Sequence, residues 1–301
     1  MLQGCVVPEE HTAPAERRTS PPEPPPRRSL RLGLDTYSFH RTLTAKDPRH
    51  RHDLLWALDR LGELGLDGLQ IDPSHFSPDD EAMLKRLEAL ARPRGLYVEF
   101  GAAGWDVPRL AACLRLTARF GGKAVRTFLG GEGTSREEVA RNVEFATPAL
   151  RHAAGVADAY DVDIAVENHG DLTSLELKDF LDGVGHPRVG ACLDTGNSLF
   201  LKEDPLDGAR RLAPYVRSVH LKDWKVAYDS DGHMRWTESV PGEGHVAVLE
   251  ILRLLSRLRA TLNVALEVPI HPSPDEGETV AKEWRHVTAS AAAARKMLAE
   301  L

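Results

Sequence analysis

The chain has 301 residues, 42% hydrophobic and 28% charged, with a formal net charge of −7 and a pI near 6.0. That length can bury a full core and suits one α/β barrel of roughly 250 residues plus a tail, while the acidic balance leaves no basic surplus to grip a phosphate backbone and argues against nucleic acid as a substrate. Three widely spaced cysteines, Cys5, Cys113 and Cys192, make no disulfide framework and point to a reducing compartment.

Two stretches near the start imitate targeting signals. Leu2-Gln-Gly-Cys5 looks like a lipoprotein cleavage site, but no apolar segment precedes it; Arg27-Arg28-Ser-Leu30 looks like a twin-arginine signal, but Arg31, Asp35, Tyr37 and His40 follow it. The expectation is therefore a cytoplasmic protein with no membrane partner. Residues 1 to 28 are rich in Pro, Glu, Arg and Thr, with Pro21-Pro-Glu-Pro-Pro-Pro26 near their end, and read as a disordered or polyproline-like tail ahead of one domain over 29–301.

From Leu30 onward the chain alternates strand and helix. Leu30–Asp35 reads as strand one, and Asp53–Leu64 carries apolar residues at helical spacing until Gly65 stops it. Gly68–Asp72 is strand two, and Ser77-Pro-Asp-Asp80 supplies a cap and first-turn proline for a helix through Leu90. Strand three is Tyr97–Phe100, its helix Val107–Phe120, and strand four Ala124–Thr127; the capping-box pattern Ser135-Arg-Glu-Glu138 opens the next helix. Four more apolar runs follow, Ile164–Val166, Val189–Leu193, Val216–Val219 and Leu262–Leu266, with helices near Ser174–Val184, Pro205–Leu212, Val246–Leu258 and Glu278–Leu298. Eight β/α units with no break in composition imply a single closed (β/α)8 TIM barrel, because each parallel strand needs a crossover helix and closure removes the edges. An open doubly wound sheet is the alternative, but no Gly-rich phosphate turn follows strand one.

The last four runs end in Glu167, Asp194, His220 and Glu267. In a barrel, polar residues at strand C-termini converge on one face, where catalysis sits in this fold. Three carboxylates and one imidazole suit a hard or borderline divalent ion, and four protein ligands leave positions for two substrate oxygens. A hydroxy-ketone bound there would have its carbonyl polarised and its neighbouring C–H acidified, leading to an enediolate. His169, two residues beyond Glu167, faces the same way by strand alternation and reads as a base or a hydrogen-bond donor, or as a loop histidine. Lys222 is read either as a partner for a developing oxyanion or as a simple pair for Asp223. Asn197 is a site-ordering residue or a helix-entry residue. His75 and Arg126, at the ends of strands two and four, are further substrate-binding candidates, and Trp105, Trp224 and Trp236 are candidates for the pocket wall or the core.

These motifs, Glu167-Asn-His-Gly170, Leu193-Asp-Thr-Gly-Asn197, Val219-His-Leu-Lys-Asp223 and Leu266-Glu267, with Pro241-Gly-Glu-Gly244 before a helix, resemble those of the sugar phosphate isomerase/epimerase superfamily, the xylose isomerase-like barrels. The similarity spans about residues 30 to 300. It implies one divalent ion, Mn²⁺, Co²⁺ or Mg²⁺ with Zn²⁺ as a further candidate, held by Glu167, Asp194, His220 and Glu267. It also implies that Glu167 and Glu267 are an acid/base pair on the two faces of a carbohydrate or polyol substrate, with a homo-oligomer as a common assembly. Ketose 3-epimerases of the superfamily carry Glu, His and Arg where this chain has Thr173, Asn197 and Val226, which argues against simple ketohexose epimerisation. The endonuclease relatives use additional histidines where this chain has Arg126-Thr127 and Asn197. The leading expectation is an isomerase or epimerase of a sugar, inosose or polyol ketone. A lyase forming the same enolate, as dehydroshikimate dehydratases and 3-keto-glycoside eliminases do, is the alternative, suited by His169 as an extra base. A non-catalytic sugar-binding barrel ranks last, because the ligand set is intact.

Overall fold

The computed structural model describes Met1, residues 29–258 and residues 261–301; the reading of a Pro-rich tail falls outside the described residues. Eight strands form one parallel sheet: β1 (Ser29–Asp35), β2 (Gly68–Ile71), β3 (Tyr97–Phe100), β4 (Ala124–Thr127), β5 (Asp163–Glu167), β6 (Val189–Asp194), β7 (Val216–Leu221) and β10 (Thr261–Leu266). Their order, β3-β2-β1-β10-β7-β6-β5-β4, wraps the sheet into a nearly closed TIM barrel. Between them lie α1 (His40–Leu43), α2 (Leu54–Leu64), α3 (Glu81–Ala91), α4 (Val107–Arg119), α5 (Arg136–Tyr160), α6 (Ser174–Val184), α7 (Pro205–Leu212) and α8 (Val248–Ser256), and α9 (Glu276–Ala299) ends the chain. The apolar faces of helices and strands fuse into one core, with Leu58, Leu69, Leu110, Leu150, Leu177 and Val264 fully buried, as parallel strands covered by helices require.

The seam lies between β3 and β4. There the ladder is replaced by Ala102 N–H donating to Arg126 O at 2.7 Å and Gly104 N–H to Phe128 O at 3.0 Å. The buried Glu99 carboxylate spans the same gap, accepting from Lys123 N–H at 2.9 Å and Ala124 N–H at 3.2 Å, two groups that would otherwise be orphaned in the interior. At the far end of the barrel Tyr97 fills the lumen. A Cβ at Gly33 would meet its Oη at 2.1 Å and one at Gly68 its ring at 2.3 Å, so both positions require glycine.

Sequence and structure part company in two places. The helix expected from Ser77 starts at Glu81, because Asp80 rather than Ser77 caps it, accepting from Met83 N–H at 3.0 Å. Beyond β7 an antiparallel hairpin, β8 (Asp223–Tyr228) and β9 (Met234–Ser239), stands outside the barrel sheet. No helix among the described residues is long and apolar enough to cross a membrane.

Candidate metal centre and substrate cavity

Parallel register sets the site. β6 and β7 align Asp194 with His220, β5 and β6 align Glu167 with Cys192, and β10 pairs Ala265 with His220 two residues before Glu267. Glu167, Asp194, His220 and Glu267 each offer one ligand atom, and these atoms all lie within 4.8 Å of one another in a buried cluster.

The donor chemistry of the four fits a divalent ion. His220 Nε2 lies 2.5 Å from Gln70 Oε1, which can only accept, so Nε2 carries the proton. Gln70 is itself fixed by its amide donating to Glu99 Oε2 at 3.2 Å. Nδ1 is thereby left facing the carboxylates, 2.8 Å from Glu267 Oε2, and becomes a lone-pair ligand once its own proton leaves, an outer hydrogen bond of the kind that orients metal-bound histidines. Asp194 divides its carboxylate in the same way. Oδ1 accepts from Gly196 N–H and Asn197 N–H, both at 2.8 Å, whereas Oδ2 is buried and accepts no well-directed hydrogen bond, though the Lys222 ammonium lies 3.0 Å away. Buried polar atoms are nearly always partnered, so an oxygen left this way suits a cation.

Two side-chain cations balance part of the cluster's charge. Lys222 Nζ lies 3.0 Å from Asp194 and 3.1 Å from Glu267, and Arg126 Nε is ion-paired with Glu167. Burial opposes ionisation of Glu167, but Arg126 and His220 outweigh it and hold the carboxylate well below its usual range. Glu267 is likewise lowered against burial, by Lys222 and His220. Burial dominates at Asp194 and at Asp35, which rise to about 6 and about 7. Burial disfavours charge on His220 too, yet the adjoining Cys192 and Glu167 raise it well above an ordinary imidazole.

A cavity of about 690 Å³ opens above the cluster, within the range of small-molecule sites. Arg126, Asn197, Lys222 and Glu267 line it, and Glu167, Asp194 and His220 lie behind them. Asn197 bridges the two shells, its Nδ2 donating to Glu167 at 3.1 Å and its Oδ1 accepting from Lys222 at 3.3 Å. Lys222 therefore turns into the cluster rather than pairing with Asp223, whose carboxylate accepts the N–H groups of Gly242, Gly244 and Val246. That arrangement uses up the donors of the Pro241–Gly244 turn. His169 also lines the cavity, stacked on Phe128 at 4.5 Å. Its Nδ1 lies 2.7 Å from the Gly130 carbonyl, so Nδ1 carries the proton and Nε2 is the ring's basic atom.

Among the three tryptophans, Trp224 alone lines this cavity; Trp236 packs on the lining Phe200 at 5.1 Å, and Trp105 packs against the core. His75 lines a neighbouring cavity of about 490 Å³ instead. Thr173 caps α6, its Oγ1 accepting from Glu176 N–H, and Val226 lies in the hairpin. The sequence reading did not single out Asp35, Tyr37, His40, Asp72 or Glu132, all of which line the cavity, nor Gln70 beneath it. Asp35 and Asp72 close β1 and follow β2 with a carboxylate, a signal that was present in the sequence.

Fold and site thus define a TIM barrel with a buried carboxylate and imidazole cluster beneath a small-molecule cavity. A family model for the xylose isomerase-like TIM barrel matches residues 58–291, and the chain belongs to that family. It is 23% identical over 199 residues, 66% of this chain and 70% of the relative, to 3-oxo-isoapionate decarboxylase of Pectobacterium atrosepticum. Among solved structures it is similar to D-psicose 3-epimerase with D-tagatose from Clostridium cellulolyticum, with TM-score 0.66, 18% identity and coverage of 89% of this chain and 99% of that one. A xylose isomerase-like barrel from Mycobacterium smegmatis in complex with magnesium gives TM-score 0.64 at 17% identity, covering 88% and 98%.

Proposed function

We propose that the protein is a divalent-metal-dependent isomerase or epimerase of a sugar, an inosose or a related polyol ketone, working by proton transfer through an enediolate. The observation that carries this reading is the set of four ligand atoms within 4.8 Å of one another below a cavity of about 690 Å³. A divalent ion held by Glu167, Asp194, His220 and Glu267, with Mn²⁺, Co²⁺, Mg²⁺ or Zn²⁺ as candidates, would supply Lewis-acid polarisation of a substrate carbonyl. The protein's own groups do the rest. Glu267, ionised and facing the cavity, takes the proton from the carbon beside the carbonyl and, now protonated, returns it to the neighbouring carbon in an isomerisation. Glu167 is the partner for the opposite face and would have to take up a proton before delivering one there in an epimerisation, and Arg126 and Lys222 offset the negative charge that builds on the substrate oxygens. Asn197 keeps Glu167 and Lys222 in register.

A lyase is the second reading, favoured by His169. With its Nδ1 proton committed to Gly130, its Nε2 is a base beside the cavity, suited to removing a proton while a neighbouring substituent departs. The similarity to a decarboxylase agrees with bond cleavage at such a site. Proton NMR in D₂O, with Mg²⁺-loaded protein and a panel of ketoses, inososes, 3-keto-glycosides and dehydroshikimate, separates the two. Deuterium at an α-carbon with an accumulating isomer is the expected result; a new olefinic signal or loss of a carboxyl group would make the protein a lyase. Glu167→Gln and Glu267→Gln should each abolish turnover, and substantial residual activity in either would sink the acid/base assignment.

A further inference from the structure

A hydrogen-bonded chain beside the metal cluster has no part in the reaction proposed above. Asp72 N–H donates to Thr36 Oγ1 at 2.8 Å. The same oxygen lies 2.8 Å from His75 Nδ1, and His75 Nε2 lies 3.0 Å from His40 Nδ1. Thr36 is fully buried, His75 lines the smaller cavity and His40 the larger. The chain therefore runs from the backbone after β2, through two imidazoles, to the wall of the substrate cavity. Tyr37 stacks on the His40 ring at 4.9 Å and fixes its plane.

Counting protons gives the chain a direction. Thr36 has one hydroxyl proton, and its oxygen already accepts from Asp72 N–H. If that proton goes to His75 Nδ1, then His75 carries its own proton on Nε2 and donates to His40 Nδ1, which leaves the His40 proton on Nε2. The reverse order puts protons on His75 Nδ1 and His40 Nδ1. It leaves the Thr36 hydroxyl proton buried with no acceptor among its recorded contacts, which is the costlier arrangement. Both rings are held towards neutrality. Burial pushes His75 down to about 4 and lowers His40, in each case against the pull of the Asp72 carboxylate.

We propose that Thr36, acting through His75, holds His40 as the neutral Nε2–H tautomer, so that His40 presents a hydrogen-bond donor and no acceptor to the substrate cavity. Thr36 and His75 are positioning residues, and His40 is the group that meets the ligand. His169, on the β5 side of the same cavity, is the opposite: its Nδ1 proton is committed and its Nε2 can only accept. With a donor at Nε2 of His40 and an acceptor at Nε2 of His169, the cavity selects a ligand with an acceptor oxygen, carbonyl or ring ether, towards β1 and a hydroxyl or acidic C–H towards β5. This assignment of ligand chemistry rests on the large cavity being the substrate site; the tautomer does not.

The test is a long-range ¹H–¹⁵N correlation spectrum of the full-length, histidine-labelled protein without added metal or substrate, with His40 and His75 assigned by His40→Phe and His75→Phe. The expected result is His40 with an unprotonated Nδ1 and a protonated Nε2. Thr36→Val should shift both rings to mixed or reversed tautomers, and Thr36→Ser should restore the wild-type pattern. His40 protonated on Nδ1 in the wild type, or a Thr36→Val spectrum with unchanged tautomers, overturns the proposal. If Thr36→Val does not fold, the wild-type tautomer alone decides. Because no turnover is measured, failure here is distinct from failure of the isomerase reading.

Discussion

Replacing Lys222 with Met tests whether the ammonium is the internal counter-ion of the cluster. Its Nζ lies 3.0 Å from Asp194 and 3.1 Å from Glu267, and the side chain is 6% exposed. At an effective dielectric of about 20, each contact is worth about 5 kcal/mol of Coulomb energy, of which desolvation cancels several. Breaking a buried pair from one side typically costs about 3–5 kcal/mol, because the orphaned charges stay behind. In a chain this long that corresponds to a fall in Tm of roughly 5–8 °C. We expect this loss in EDTA. With Mn²⁺ or Mg²⁺ the variant should recover more than the wild type gains, because Asp194 and Glu267 are then free for the ion; saturation at a hundredfold above Kd stabilises by about 2.7 kcal/mol. Thermal denaturation of both proteins in chelator and in metal gives the four values required. A loss below about 1 kcal/mol in EDTA, or equal metal-induced gains in the two proteins, would refute the counter-ion role.

Two further predictions concern groups around the cluster. Gln70→Leu removes the acceptor that orients His220 and should weaken Mn²⁺ binding by about 10- to 100-fold in calorimetry; an unchanged Kd would detach Gln70 from the site. Glu283, buried against α1, accepts from Arg41 N–H at 2.8 Å and Thr42 N–H at 2.9 Å, yet burial pushes its carboxyl up to about 7. The folded state then holds more protons than the unfolded state between about pH 4.5 and 7. Its contribution to stability is complete below that window and is lost as pH rises through 7, by up to about 3 kcal/mol. Urea denaturation at pH 5 and pH 8 should show this loss shrinking in Glu283→Gln, and an identical pH dependence in the two proteins would contradict it.

The barrel was legible in the sequence because its strands are short apolar runs alternating with helical patterns; Ser135 and Glu138 form the capping box that their spacing announces. The β8–β9 hairpin was not, since Asp223–Tyr228 and Met234–Ser239 mix charged and apolar residues and leave half of their side chains exposed. Local pattern could not tell them from a loop. Glu167, Asp194, His220 and Glu267 were read from their place after apolar runs, and the structure brings the four together. Gln70 was missed because it sits inside a four-residue strand, where the inward face shows only once the barrel closes. His75 was placed by the same strand-end logic as Arg126, but its ring is hydrogen-bonded to Thr36 and His40 and lines the neighbouring cavity. A strand end gives a residue's level in the barrel; the rotamer and its hydrogen bonds decide which cavity it serves.

The charge balance of the upper barrel argues for the metal from a direction independent of ligand spacing. Five carboxylates, Asp35, Asp72, Glu167, Asp194 and Glu267, face three cationic groups, Arg126, Lys222 and a protonated His220, all of them buried. Full ionisation leaves an excess of two negative charges, and of three once His220 gives up its proton to act as a ligand, so one divalent ion would offset most of the excess. Without such a partner the excess is relieved by protons, since burial and like charges disfavour ionisation of Asp35 and Asp194. His220 Nδ1, 2.8 Å from Glu267 Oε2, must also give up its proton before it can serve as a ligand. Metal uptake should therefore release protons, and Mn²⁺ affinity should rise from pH 5 to pH 8. Calorimetry in buffers of different ionisation enthalpy counts the protons directly. A proton count of zero with a pH-independent Kd would mean that the ion binds elsewhere and that the carboxylate excess has another purpose.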